Sequence, residues 1–338
     1  MSKRESSEVQ NAPDPEKGIA LLAEIFEAIG FEIPDEESYN ALAEHAEKTG
    51  QRSCAYRGSA TIHGRCWKIG HGLEVWSVLY ETASDLYCAD CRPAFRSRYV
   101  HKIHPWEMAE YCEDGEALVR GALGGKTQVL FELQNLTEVK PHMLRNPHLR
   151  VGLAGLAFSV KIDGDTEAQA FPGYLKAGFQ PESGLRANLS QRRSQRVSND
   201  RVSKDRVSKD RVSTASTQDA CSVGEGQFTP VSLVAEHPDQ ACENDYLVHG
   251  RILAWREIEN PITSARLVWF YVDTGAIRVE LLASRRSVQG RPRLGAEIGA
   301  TAWLQGHFLE EAEISARYEG IDPDFVKSDS WTLLRKCN

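Results

Sequence analysis

Apolar residues recur at helical spacing only near the front of the chain. Ile19, Leu21, Leu22, Ile25, Phe26 and Ile29 fall on one helical face, and Gly30 supplies a stop. After Pro34 and Asp35, Tyr39, Leu42 and Ala43 mark a second helix from about Glu36 to Lys48, ended by Gly50. From Arg65 the period changes to two. Leu73, Val75, Trp76, Val78, Leu79 and Tyr80 read as strand, as do Leu86 and Tyr87. Gly115 to Gly121 and Val129 to Leu136 are two further strands about the Gly124-Gly125 turn signal. Leu149 to Ile162 is a longer strand whose glycines point to a bulge or a close backbone approach. A second strand-rich stretch follows much later: Tyr246 to Glu257, Leu267 to Val272, Ala276 to Ala283 and Ala300 to Phe308, the middle pair joined at Asp273-Thr274-Gly275. Beyond Leu309 the pattern suggests a short helix and a last strand around Trp331 to Leu334. The whole predicts an α+β fold, mainly β.

Between the two stretches lies a pentad repeat, QRVSND-RVSKD-RVSKD-RVSTAST from Gln195, with Val as its only apolar residue. One Val in five cannot offset the entropy of ordering the backbone. The chain therefore divides into a disordered tail (1–13), a helical hairpin with a β-rich domain (14–180), a disordered basic linker (181–242) and a C-terminal β-barrel domain (243–338). Charge follows the same division. Residues 1–180 hold 19 basic and 26 acidic side chains, net −7; residues 181–218 hold 9 and 4, net +5; residues 219–338 hold 12 and 18, net −6. Two acidic bodies disfavour a nucleic-acid partner, because that affinity rests on basic side chains meeting phosphates; a single-stranded nucleic acid meeting the basic segment stays open, and a protein partner is favoured. No apolar run reaches the roughly 20 residues of a membrane helix. The polar start lacks the apolar stretch of a secretory signal. With eight cysteines spread along the chain, these features point to a cytoplasmic protein without a membrane partner.

The runs LVHGRILAWREI, LVWFYVDTGAIRVELLA and GAEIGATAWLQGHF together resemble the strand order of an OB-fold barrel over residues 245–308. That resemblance implies a ligand face on its second and third strands, for oligonucleotides, oligosaccharides or protein segments. In this chain that face is the Leu267–Ala283 hairpin, with Trp269, Tyr271 and Arg278 as binding residues and Trp303 beside them. Glu257, Glu259, Asp273 and Glu280 make the region acidic, unlike a nucleic-acid platform. The same aromatics on alternating strands also suit a core. EDGEALVRGAL is similar to GAEIGATAWLQGHF, which suggests a related barrel in the first body.

Two short motifs carry possible chemistry. Cys88-x2-Cys91 followed by His101-x2-His104 resembles a two-Cys-two-His zinc finger, with Phe95 after the cysteines. It departs in spacing, with nine residues between Cys91 and His101. The favoured reading is instead strand and turn thiols at Cys88 and Cys91, with the two histidines in a surface loop and no cofactor. Asp273-Thr274-Gly275-Ala276 after an apolar strand resembles the signature of retroviral-type aspartic proteases, whose two Asp side chains share a proton across a dimer. Only Asp273 would carry over as a catalytic residue, and the same string is good hairpin-turn chemistry. The sequence thus favours a non-catalytic binding or adaptor protein acting through the C-terminal barrel. A zinc-binding regulatory or nucleic-acid-linked protein and a homodimeric retropepsin-like peptidase are the alternatives.

Overall fold

In the computed structural model, residues 23–57, 60–111, 114–124, 127–139, 143, 149–162, 228–233 and 243–310 are described. The pentad repeat and the tail beyond residue 310 lie outside them, as does the strand expected at Trp331. Helix α1 covers residues 23–28 of the described chain, and α2 runs Glu36–Thr49. Asp35 starts α2 by accepting a 2.8 Å bond from the Ser38 N–H, with Glu36 and Glu37 in the first turn and Lys48 in the last. Both helices thus form where the apolar spacing places them.

The rest is strand, in two sheets. In the first, β1 (Gln51–Arg57), β2 (Ala60–Gly70), β3 (Leu73–Glu81) and β4 (Leu86–Phe95) form an antiparallel meander. The second sheet has ten strands: β5 (Val100–Tyr111), β6 (Glu116–Leu123), β7 (Thr127–Leu133), β8 (Leu149–Ile162), β9 (Phe228–Pro230), β10 (Asp245–Glu259), β11 (Arg266–Asp273), β12 (Arg278–Ser284), β13 (Val288–Gln289) and β14 (Glu297–Leu309). Strands from both sides of the pentad repeat therefore belong to one sheet. Among the described residues no helix is long and apolar enough to cross a membrane.

The pairings in this sheet run in two closed circuits. The first is β5–β6–β7–β14–β8 and back to β5; every neighbour is antiparallel except β7 with β14, which is parallel. The second is β10–β11–β12–β8–β14 and back to β10; again every neighbour is antiparallel except the parallel pair β12 with β8. The two circuits have the same order and the same directions. They share β8 and β14, whose long ladder runs from Ile298 opposite Ile162 to Leu309 opposite Arg150. In these orders each shared strand stands fifth in the circuit of its own part of the chain and fourth in the other. A circuit built from residues 243–338 alone was the expectation; the strand that closes it is β8, from the first part of the chain. The presumed kinship of EDGEALVRGAL with GAEIGATAWLQGHF also resolves differently. The first segment forms β6, second in its circuit, and the other forms β14, fifth in its own.

Alternation along the strands sorts side chains between two cores. Val119, Phe131, Leu153, Val268, Phe270, Leu281, Ala300 and Leu304 pack together inside the circuits. Their neighbours Leu267, Trp269, Tyr271, Leu282 and Trp303 point outward, into a layer with Phe26, Ile29 and Leu42 of the helices and with Leu73, Val75 and Cys91 of the first sheet. The helices therefore lie between the outer face of the second circuit and the first sheet. The other face of that sheet, through Ile62 and Val78, joins the core of the circuits.

Candidate functional site

The seam where the first sheet meets the circuits holds the densest buried polar chemistry. On β12, Glu280 is fully buried. One of its oxygens accepts from the Ser97 hydroxyl, from the Arg98 N–H at 2.6 Å and from the Tyr99 N–H at 3.3 Å; the other accepts from the Trp269 indole at 2.8 Å. Burial pushes its carboxyl above the usual range, and the donors from Ser97 and Trp269 oppose that shift. Tyr99 stacks on Tyr271 at 3.7 Å, so the loop after β4 is pinned to the second circuit at two adjacent points.

The first circuit has a matching anchor. Glu132, on its third strand β7, is buried and lies 3.3 Å from the Arg92 guanidinium of β4. Arg92 also reaches Asp90 at 2.8 Å and the Gly115 carbonyl at 2.9 Å. One carboxylate oxygen each from Asp90, Glu116 and Glu132 lies within 4.8 Å of the others. Nearby, Arg96 pairs with Glu74 at 2.7 Å, and the Trp76 indole donates to Glu74 at 3.0 Å. Burial keeps the Cys66 and Cys91 thiols above their ordinary range, so at neutral pH they stay protonated and weakly nucleophilic.

The four zinc candidates are not gathered. Cys88 and Cys91 lie on β4 in the first sheet, while His101 and His104 lie on β5 in the second. Among the described residues the carboxylate trio is the converging group, and none of the four belongs to it. Residues 88–104 thus form two strands in different sheets rather than one ligand loop, and His101 and His104 stand on a strand where a surface loop was expected. Asp273 closes its own turn. Its carboxylate accepts from the Gly275 N–H at 2.8 Å and pairs with Arg278 at 3.4 Å, while Gly275 takes φ +76°. That is the turn reading of the Asp-Thr-Gly string rather than the protease one.

The expected binding platform is corrected too. Trp269, Tyr271 and Trp303 are buried under the helices and the first sheet, and Arg278 is occupied with Asp273. Their alternation placed them outside the circuit, as expected; the chain's own N-terminal layer covers that side. The corresponding face of the first circuit is covered at Leu118 and Glu132, and exposed among the described residues toward the other end of β5, β6 and β7. His104, Trp106, Glu107, Arg120 and Gln128 are exposed there, with Ala122 and Leu130 half-buried between them. Trp106 is 50% exposed and sits at a bulge in β5, as Leu253 does in β10. Leu253 packs against the helical layer. Sequence reading missed this face because β5 carries Pro105, Lys102 and four histidine or glutamate side chains that mimic a loop. The available signal was its alternation of Val100, Lys102, His104 on one side and His101, Ile103 on the other. No family model matches the chain, and comparison with curated proteins and with solved structures finds no match either.

Proposed function

We propose that this is a non-catalytic binding protein, built on two OB-like barrels that share two strands, and that it recognises a protein partner on the outer face of β5, β6 and β7. The observation that carries the reading is Trp106, half-exposed at the bulge where the second circuit places a covered Leu253. In OB-type barrels the ligand face lies on the second and third strands. Among the described residues that face is covered in one circuit and exposed over His104, Trp106, Glu107, Arg120 and Gln128 in the other. Exposed Trp beside Arg is the residue pairing that dominates protein interfaces. The charge there is mixed: Arg120 lies 3.6 Å from Glu107 and 2.8 Å from Glu243. A nucleic-acid backbone calls for a continuous basic track instead.

The test is affinity capture of partners with the full chain against Trp106→Ala and Arg120→Glu. Binding through this face predicts a loss of about 30-fold in affinity for the tryptophan change with an unchanged melting temperature. Capture that survives both changes removes the face from consideration.

A further inference from the structure

We propose that a second copy of this chain is a partner, taken up by exchange of halves: the second half of one copy closes the circuits of the other, and reciprocally. The described residues up to Ile162 form the first half and those from Phe228 the second. Neither half holds a complete circuit. The first supplies β5, β6, β7 and β8 and lacks the strand between β7 and β8; β14 of the second half fills that place. The second supplies β10, β11, β12 and β14 and lacks the strand between β12 and β14, which is β8 of the first. Each half is thus a barrel with one strand missing and one strand to lend. The surface that joins them is a backbone ladder backed by core. β8 and β14 pair from Ile162 opposite Ile298 to Arg150 opposite Leu309, and their inward residues Leu153 and Leu304 lie in the common core. The lent strands are also held at their far edges, by Glu132 opposite Gln305 and by Glu280 opposite Ala154. A half without those partners would expose rows of backbone groups and the apolar side chains beside them.

Which copy supplies the missing strand is decided by the connection between the halves. Between Ile162 and Phe228 lie 65 residues. Fully extended, a chain of that length reaches about 215 Å, so it imposes no geometry that a single chain alone could satisfy. The contacts made within one chain and across two are the same. The connection discriminates only through the effective concentration at which it holds the halves, on the order of 1 mM for this length. Chains that fold well below that concentration close on themselves. Chains that fold near it exchange halves, which is domain swapping. Once a circuit is closed, the β8–β14 ladder must break before a half can change partner, so the form adopted on folding persists. The exchange does not depend on the recognition face, whose exposed residues all belong to the first half and are present in both forms.

The experiment unfolds the full-length protein in urea and refolds it at about 1 μM or at about 1 mM, on either side of the effective concentration. Both samples are then brought to the same low concentration and weighed by native mass spectrometry. The expected result is the mass of one chain after dilute refolding. After concentrated refolding a fraction of twice that mass should appear, at least about tenfold larger than in the dilute sample, and survive the dilution. Two full-length variants tell exchange from ordinary association. Ala157→Cys and Ala302→Cys change directly opposed core residues of β8 and β14. Each refolded alone and dilute should keep the wild-type melting temperature. Refolded together at the higher concentration and oxidised, they should give a disulfide from position 157 of one chain to position 302 of the other, identified by peptide mass. A single-chain mass at every refolding concentration would overturn the proposal, whatever the variants do. A double-mass particle without the 157–302 link would overturn it as well and assign the association to the surfaces of two closed chains.

Discussion

Glu280 is fully buried and held by four donors that come from one loop and one tryptophan. Replacing it with Gln puts an amide N–H2 against donors, whichever way the amide turns. We expect Glu280→Gln to cost about 2–4 kcal/mol in urea unfolding; a cost below about 0.5 kcal/mol would show that the clamp does not hold the loop. The pH dependence follows from burial. Because the folded carboxyl titrates above its unfolded value, the folded state holds the proton more tightly. This group's contribution is full below the ordinary carboxyl range and is lost as pH rises through the folded pKa. His101 has the opposite sign: burial holds its imidazole below the usual range, so its contribution is present above about pH 6.5 and lost as pH falls through the folded value. We expect His101→Gln to flatten the loss of stability on the acid side, measured as urea midpoints between pH 7 and pH 5. A profile identical to the wild type would exclude His101 as its source.

Elements explain why some of this was legible in the sequence and some was not. The helices and most strands show in local spacing because one face of each is buried, and burial leaves its period in the residues. β5 was hidden because its charged and imidazole side chains sit on an open face, and because Pro105 is accommodated next to a bulge. Tyr39 was legible only as an apolar position of α2. In the structure its hydroxyl donates to the Cys91 carbonyl and accepts from the Cys91 N–H, both at 3.1 Å, so a helix side chain closes part of an edge strand. Glycines carry a similar long-range meaning. Gly250 lets β10 cross the end of β11; a Cβ there would lie 2.4 Å from the Asp273 carbonyl oxygen. Backbone cannot step aside as a side chain does. Gly250→Ala is therefore expected to cost about 1–3 kcal/mol, seen as a lowered denaturant midpoint; an unchanged midpoint would mean the crossing is looser than described.

For the whole molecule, the pentad repeat divides the sequence but not the sheet. Local patterns showed five strands on one side of it and five on the other, and a hairpin that resembles part of a barrel. They could not show that β8 pairs in parallel with β12, since such pairing leaves no signal in either strand alone. The aromatic platform was misplaced for a related reason. Trp269 and Tyr271 alternate as an outward face should, and only the fold shows that α1, α2 and the first sheet cover it. Two circuits that lend each other a strand make neither half complete. The most direct test cuts the backbone once. A protease site inserted within residues 195–212 of the full-length chain is cleaved after folding, and the product is examined by native mass spectrometry. Shared strands predict that the two fragments stay together as one particle of unchanged total mass and separate only on unfolding. Two folded fragments that part under native conditions would contradict the shared circuits and restore two independent domains.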